Sequence, residues 1–199
     1  MGAPLRRARA IASDDTKTAG AYNNEGLILR QQKRVEEALT AFEHALRIDP
    51  RYASAMWNES ETLFEANRDL DHADQLLISA LRGGLADGVR FALARSIAYD
   101  RSGHPERSLA LLQSAVATVP NDAELRMFRG RFEMERHDCS AALADFHAAE
   151  ELQPNNPLAF ASAGLAQMCL GDEAGGRESF TRSLRLDPNQ PELRRFLGQ

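Results

Sequence analysis

The chain has 199 residues, of which 43% are hydrophobic, and its formal net charge is −5 at pH 7. A hydrophobic share of this size supports a packed core and excludes a chain that is disordered throughout. The sequence holds no run of about 18 apolar residues, which excludes insertion into a membrane as a helix. Its acidic balance excludes nucleic acid as the main partner, because phosphate is repelled.

Residues 1–18 form a basic segment ahead of the first predicted helix, and we expect either a tail or an extra helix there. The segment lacks the long apolar stretch of a secretory signal. The chain as written is therefore expected to be cytoplasmic. A periplasmic location stays open if a leader has been removed.

Helical patterns follow one another from residue 19 onward, because apolar residues recur at spacings of three and four between short polar turns. We predict helices near residues 19–32, 35–48, 53–67, 70–82, 87–102, 105–118, 121–136, 139–152, 155–170 and 173–186, with a short last helix from about 190. Asn121 and Glu124 resemble a capping box, which predicts a capping role for Glu124.

The helices repeat in pairs with a period of 34 to 36 residues. Small residues recur in the second helix of each pair, at Ala38, Ala73, Ser108, Ala142 and Gly176. A large apolar residue follows each by four positions, at Phe42, Leu77, Leu112, Phe146 and Phe180. The first helix of each pair has its own small residue, at Gly26, Ser60, Ser96, Gly130 and Gly164. This register predicts that the small residues let the two helices approach closely while the large one fills the space beside them.

A helix–turn–helix unit of about 34 residues with small, aromatic and proline positions resembles the tetratricopeptide repeat. The resemblance spans residues 19–188, and its first unit reads Tyr22, Gly26, Ala38, Phe42, Ala45 and Pro50. It implies an all-α fold, a right-handed superhelical α-solenoid of about five repeats. The implied repeats are 19–52, 53–86, 87–122, 123–156 and 157–188, and residues 189–199 are expected to form a C-terminal capping helix.

The resemblance also implies a binding groove, because the first helices of tetratricopeptide units line the concave side of the superhelix. The positions implied to face it are Asn23, Leu27, Trp57, Asn58, Glu61, Arg90, Leu93, Ile97, Met127 and Arg131, with Phe128, Ala161, Ser162 and Leu165 at further equivalent positions. Trp57 is either part of the core between repeats or an anchor in the groove, and both interpretations stay open. Apolar anchors mixed with amides and arginines are typical of peptide or helix recognition.

Some tetratricopeptide proteins clamp a C-terminal carboxylate of chaperones through a set of lysine, asparagine and other basic residues. Of the matching positions in this chain, only Asn58 and Arg90 have the required residue types. The comparison with that set therefore argues against chaperone-tail binding.

No pattern in the sequence predicts catalysis. The five histidines are spread along the chain, and none belongs to the paired arrangement of a zinc hydrolase helix. A phosphate-binding glycine loop and a nucleophile elbow are also missing. We therefore expect no enzyme, no cofactor and no metal. Cys139 and Cys169 match no metal-ligand spacing and are expected to be free thiols.

The sequence thus predicts a bacterial protein–protein interaction scaffold that binds a peptide or a partner protein in the concave groove. One alternative is a regulatory or docking module of a larger bacterial hydrolase. The stretches 57–60 and 128–131 resemble tetratricopeptide tails of sulfatase- and phosphodiesterase-type proteins. A second alternative is a structural protein that assembles with copies of itself.

Overall fold

A computed structural model describes residues 18–198 of the chain. The predicted basic segment lies almost wholly outside these residues. The described chain divides into two compact units, a first unit that ends at Gly88 and a second unit that begins at Val89. Residues 18–198 form eleven α-helices and no strand, so the predicted all-α helical-repeat class is confirmed.

The helices begin and end within two residues of their predicted bounds. In the first unit they are α1 (Ala19–Gln31), α2 (Val35–Ile48), α3 (Ala53–Glu65) and α4 (Leu70–Arg82). The second unit contains α5 (Gly88–Arg101) from its second residue onward, α6 (Pro105–Thr118), α7 (Ala123–Glu135), α8 (Cys139–Leu152), α9 (Pro157–Cys169), α10 (Glu173–Leu186) and α11 (Pro191–Leu197).

Consecutive helices pack as hairpins, and the hairpins of each unit pack side by side. In the first unit α1 contacts α2, α3 contacts α4, and the two first helices α1 and α3 also touch. In the second unit α7 contacts α8, α9 contacts α10, α8 contacts α9, and the first helices α7 and α9 meet. The last helix, α11, packs against α10. In each unit two first helices therefore lie side by side, α1 beside α3 and α7 beside α9.

The turn inside each hairpin uses a left-handed residue at the same position of every repeat. These residues are Lys33, Asn67, Gly103, His137 and Gly171, with φ between 51° and 81°. A residue in this conformation ends a helix by letting its N–H and that of the next residue bond back to the last carbonyls. Glycine adopts it without steric cost, whereas Lys33 and His137 do so at the expense of some backbone strain. The predicted turns are confirmed.

In three of the hairpins a glycine of the first helix packs directly against a phenylalanine ring of the second helix. Gly130 of α7 lies under Phe146 of α8, and a methyl group built on Gly130 would sit 2.6 Å from the ring. Gly26 lies under Phe42 and Gly164 under Phe180 in the same way. Each of the three phenylalanines is at most 2% exposed. Only glycine fits at these positions as the rings now lie.

The other two hairpins have a larger residue in the first helix and a smaller residue in the second helix at the same positions. Serine replaces glycine in the first helix, and leucine replaces phenylalanine in the second. Ser60 and Ser96 are fully buried, and each hydroxyl is hydrogen bonded. The Ser60 hydroxyl donates to the carbonyl of Ala73 at 2.6 Å, and the Ser96 and Ser108 hydroxyls are 2.6 Å apart. The volume gained in the first helix is thus offset by volume lost in the second.

The expectation of free thiols is wrong, because Cys139 and Cys169 form a disulfide. Cys139 begins α8 and Cys169 ends α9; the two cysteines are 30 positions apart in the sequence, and their Cα atoms are 6.1 Å apart. Since α8 and α9 run in opposite directions, the start of one lies beside the end of the other. The disulfide therefore closes the α8–α9 pair at the end opposite to its connecting turn.

Candidate functional site

Three pockets lie on the first-helix side of the second unit, and we call this surface the first-helix face. Pocket A lies between α5 and α7, pocket B between α7 and α9, and pocket C between α9 and α11, with volumes of about 210, 380 and 360 Å³. Volumes of 300 Å³ and more are typical of ligand pockets. Pockets B and C reach that size.

Pocket B is formed mainly by α7 and by the start of α9. Its lining consists of Ala123, Glu124, Met127, Phe128, Arg131, Gln153, Asn156, Leu158 and Ser162. Leu158 is 64% exposed, which is unusual for a leucine in a helix that packs on both sides. The turn beneath it is held by a 2.9 Å hydrogen bond from Asn156 Nδ2 to Gln153 Oε1. Pocket B therefore combines an exposed leucine and half-buried apolar side chains with a polar rim.

The structure corrects the capping role that was predicted for Glu124. The residue that caps α7 is Asp122, whose carboxylate accepts a hydrogen bond from the backbone N–H of Leu125 at 2.8 Å. The side chain of Glu124 is exposed and lines pocket B instead. An acidic group is thus present at one end of the pocket.

Arg131 lies between pockets A and B and lines both of them. Its guanidinium carbon lies 5.3 Å from the centre of the Phe128 ring, a distance at which a cation is attracted by the ring face. The arginine side chain is exposed and Phe128 is half-buried. Phe128 and Arg131 therefore lie on the boundary between pockets A and B, and both residues line both pockets.

Pocket C extends the same face toward the C-terminus. It is lined by Ala161 and Leu165 of α9 and by residues 190–193. Leu165 is 55% exposed and lies seven positions after Leu158, so both leucines are on one side of α9. The first-helix face therefore has exposed apolar residues in pockets B and C.

Of the ten residues predicted for the groove, five belong to the second unit. Met127 and Arg131 line pocket B, while Ile97 and Arg131 line pocket A. Arg90 is exposed, whereas Leu93 is only 7% exposed and belongs to the core. Pocket B also takes up Phe128 and Ser162, which were predicted at equivalent positions.

The other five predicted residues lie in the first unit. Leu27, Trp57 and Glu61 are half-buried. Asn23 and Asn58 are buried, and Asn58 Nδ2 donates to Asn23 Oδ1 at 2.8 Å. This hydrogen bond joins α1 to α3, so the two amides have a structural role between neighbouring first helices.

Glu124 and Leu158 are pocket residues that sequence reasoning missed. Glu124 was assigned to a cap because Asn121 precedes it by three positions. Leu158 directly follows a helix-starting proline, and its position alone carries no sign that the side chain stays exposed. The start of α9 and the helix α7 line the same pocket only once the repeats are folded, so the sequence alone does not show that Leu158 belongs to it.

A buried ion pair holds α7, the central helix of the face, against α8. Asp145 is 1% exposed and accepts two hydrogen bonds from the Arg129 guanidinium, at 2.6 and 2.7 Å, and a third from Arg126 at 3.1 Å. A two-point arginine–carboxylate contact fixes orientation as well as distance. Arg129 and Arg126 point away from the pockets, which sets the direction in which Phe128 and Arg131 face.

Glu133 lies beside this pair in an unfavourable position for a charge. It is 7% exposed, its Oε1 is 3.7 Å from Arg129 Nε, and its Oε2 has no hydrogen-bond partner. Burial, together with the nearby charge of Asp145, raises the pKa of Glu133 to about 7. The carboxyl group therefore changes its charge near neutral pH.

Within residues 18–198 no group of three or more histidine, cysteine, aspartate or glutamate side chains is arranged to hold a metal ion. In the same range no helix has both the length and the apolar character needed to cross a membrane.

Models of the tetratricopeptide repeat match residues 19–52, 91–136 and 133–191 of the chain. These matches cover more than half of its length. The chain belongs to the tetratricopeptide-repeat family. Proteins built from such helical repeats use extended surfaces for binding, and the fold is in general a non-catalytic interaction module.

One relative is the bacteriophage adsorption protein A of Escherichia coli (strain K12), which is 35% identical over 96 residues. The matched stretch is 48% of this chain and 10% of that protein, so the chain corresponds to a small part of its relative.

Solved structures with the same fold include YrrB, whose crystal structure is described as that of a TPR protein with an unusual peptide-binding site. YrrB is 22% identical, the match covers 96% of this chain and 97% of YrrB, and the TM-score is 0.55. MamA is 17% identical over 87% of this chain and 94% of its own, with a TM-score of 0.52. The first TPR of Spaghetti, bound to an HSP90 peptide, is 18% identical over 54% of this chain and 86% of its own, with a TM-score of 0.50.

The raised pKa of Glu133 predicts that the stability of the second unit depends on pH. In the unfolded chain the carboxyl group titrates near 4.5, and in the folded chain it titrates at about 7. The folded state therefore binds the proton more tightly, and its stability falls as pH rises from about 4.5 to 7. The linkage relation gives a loss of at most about 3 kcal/mol.

The variant Glu133→Gln tests this dependence, because the amide keeps the shape and carries no charge. We expect its free energy of unfolding in urea, compared with that of the wild-type chain, to increase by about 2 kcal/mol between pH 5 and pH 8. Titrating groups that are remote from Glu133 cancel in the comparison. If the difference in the free energy of unfolding between variant and wild type is the same at both pH values, the pKa of Glu133 is not raised in the folded chain.

Proposed function

We propose that the chain is a protein–protein interaction scaffold, without catalytic activity, whose first-helix face binds an apolar segment of a partner. The observation that carries the proposal is the row of pockets A, B and C on one face of the second unit. Pockets B and C include leucines that are more than half exposed. Exposed apolar residues rimmed by polar ones are typical of a protein interaction site.

Pocket B is the proposed centre of this surface. A partner side chain placed there would contact Met127, Phe128 and Leu158, and the polar groups of Arg131 and Ser162 would surround it. An apolar centre with a polar rim is the usual anatomy of a specific interface. Aromatic and arginine residues at such a centre commonly contribute most of the binding free energy.

The predicted residues of the first unit are proposed as contacts of that unit by itself, and Arg90 of α5 is proposed as a further contact of the second unit. Leu27, Trp57 and Glu61 are half-buried first-helix residues, and Arg90 is exposed. Asn23 and Asn58 are left out because their amides already bind each other.

Relatives of the same fold support a peptide as the partner. YrrB is described by its peptide-binding site, and the first TPR of Spaghetti was solved with an HSP90 peptide. A chaperone C-terminal peptide is not the proposed partner, because only two residues of this chain match the carboxylate clamp. The proposed partner is instead a segment whose chemistry fits pocket B.

A second candidate is that the same face serves as a docking module inside a larger protein. The matched stretch is only a tenth of the Escherichia coli relative, so a repeat array of this kind occurs within a much longer chain. That relative is a phage adsorption protein, and the likeness to tails of sulfatase- and phosphodiesterase-type hydrolases stays a prediction from the sequence.

The binding surface is tested with a peptide selected on the protein from a random linear display library. The peptide is synthesised with a fluorophore, and its dissociation constant is measured by anisotropy. Leu158→Ala and Phe128→Ala should each weaken binding about tenfold or more, because both remove contact area in pocket B. The matched control is Leu186→Ala, which removes a leucine that is 38% exposed at the end of α10 and lines none of pockets A, B and C.

Affinity within a factor of two of wild type is expected for the control. Equal losses in Leu158→Ala and Leu186→Ala, or no loss in either pocket variant, would contradict the assignment of the surface.

We propose further that the chain works in an oxidising compartment such as the bacterial periplasm. The disulfide between Cys139 and Cys169 supports this location, because disulfides persist in oxidising compartments and are rare in the cytosol. Closing a loop of this length stabilises a fold by about 3.5 kcal/mol in the chain-entropy treatment. Such a contribution is useful only where the bond stays oxidised.

Thiol trapping in the native cells tests the location. Cells are quenched in acid, the protein is denatured, and free thiols are labelled with a maleimide reagent that adds mass. We expect no added mass unless the protein is first reduced, whereas Cys169→Ser should gain one label at Cys139. Two labels on the unreduced wild-type protein would place it in a reducing compartment.

A further inference from the structure

Pocket B has charges of opposite sign at its two ends. Glu124 and Arg131 both line it, both side chains are exposed, and they are seven residues apart on α7. Seven residues correspond to about 10.5 Å along a helix. Met127 and Phe128 lie between them, at the third and fourth positions after Glu124. The lining residues contributed by the body of α7 are thus acidic, apolar and basic in that order.

Neither charge is neutralised by a neighbour within residues 18–198. Glu124 takes no part in the cap of α7, since Asp122 fills that role. Arg131 is stacked on Phe128, a contact that leaves its N–H groups able to bind a carboxylate. By contrast Arg126 and Arg129 on the other side of α7 are both bound to Asp145. On the pocket side of α7, Glu124 and Arg131 are therefore available to a partner, whereas the two arginines on the other side are already paired.

We infer that pocket B selects a helical segment of the partner with a basic residue at one end, apolar residues in the middle and an acidic residue at the other end. The inference rests on the proposed function and adds the chemistry of the partner to it. A helix that lies along α7 presents residues at positions i, i+3, i+4 and i+7 on one face. Those spacings match Glu124, Met127, Phe128 and Arg131. The basic residue pairs with Glu124, and the acidic residue pairs with Arg131.

An extended partner strand fits the charges less well. Side chains on one side of a strand are about 6.7 or 13 Å apart, because they recur every second residue. Neither distance matches the separation of about 10.5 Å on α7. The helical form is therefore the one that satisfies both charges with the apolar residues between them.

A library of single amphipathic helices, randomised at positions i, i+3, i+4 and i+7, tests the inference. It is selected in parallel on the wild-type protein and on the variant Glu124→Arg, which makes both charged positions basic, so that reversing the direction of the bound helix cannot restore the pairing. Position 124 is exposed, and circular dichroism checks that the variant keeps its helix content. Helices from the wild-type selection should have apolar residues at i+3 and i+4 with opposite charges at i and i+7, and those from the variant should have acidic residues at both i and i+7.

The dissociation constants of one synthesised helix from each selection complete the test. Each helix should bind its own target about tenfold more tightly than the other target, because the contact with position 124 changes from attractive to repulsive. Selected helices with the same charges on both targets, or linear peptides that bind while helices do not, would overturn the inference and leave the proposed function intact. Failure of both the helical and the linear libraries on the wild-type protein would overturn the proposed function as well.

Discussion

The contact between a first-helix glycine and a second-helix phenylalanine sets the geometry of the hairpins that contain it. Gly130 and Phe146 form this contact between α7 and α8, and a single added methyl group on the glycine would overlap the ring. The ring fills the volume that the missing side chain leaves, so the two helix backbones come close without a void. Where the chain has serine and leucine at these positions, the sum of sizes is similar and the serine hydroxyl is hydrogen bonded.

This contact has a direct consequence for binding, because it decides which side of the first helix remains free. One side of α7 carries Gly130 and Arg129, which meet Phe146 and Asp145 of α8. The side that bears Met127, Phe128 and Arg131 is then left to line pockets. The proposed binding residues of α7 are on a helix that packing and a buried ion pair hold in place, so less entropy would be lost when a partner binds.

Much of the fold is predictable from the sequence because the same types of residue recur at the same positions of each repeat. The recurrence of small and large residues predicts the helices and their pairing, and the turn residues at Gly103 and Gly171 predict where the hairpins reverse. The repeat also predicts that Met127 and Arg131 belong to the exposed side of a first helix. These predictions depend on local spacing, which a single sequence contains.

Other features depend on distances between residues that are far apart in the chain. The disulfide joins cysteines 30 positions apart, and their proximity follows from the antiparallel path of α8 and α9 rather than from a cysteine motif. Asn23 and Asn58 look like groove residues by position, yet their amides meet because α1 and α3 pack closely. Glu124 was misassigned because a neighbouring aspartate competes for the cap. The charge state of Glu133 likewise follows from burial beside Asp145, which no spacing rule contains.

A double-mutant cycle at Gly130 and Phe146 tests most directly whether size complementarity holds the hairpins together. The single variants Gly130→Ser and Phe146→Leu should each lower the free energy of unfolding by about 1 to 3 kcal/mol, through overlap and through a void respectively. The double variant recreates the pair that the chain uses at Ser60 and Leu77, where the serine hydroxyl donates to the carbonyl of Ala73. We expect it to recover at least about 1 kcal/mol relative to the sum of the single losses. Losses that simply add would contradict the claim that this contact determines how the two helices pack.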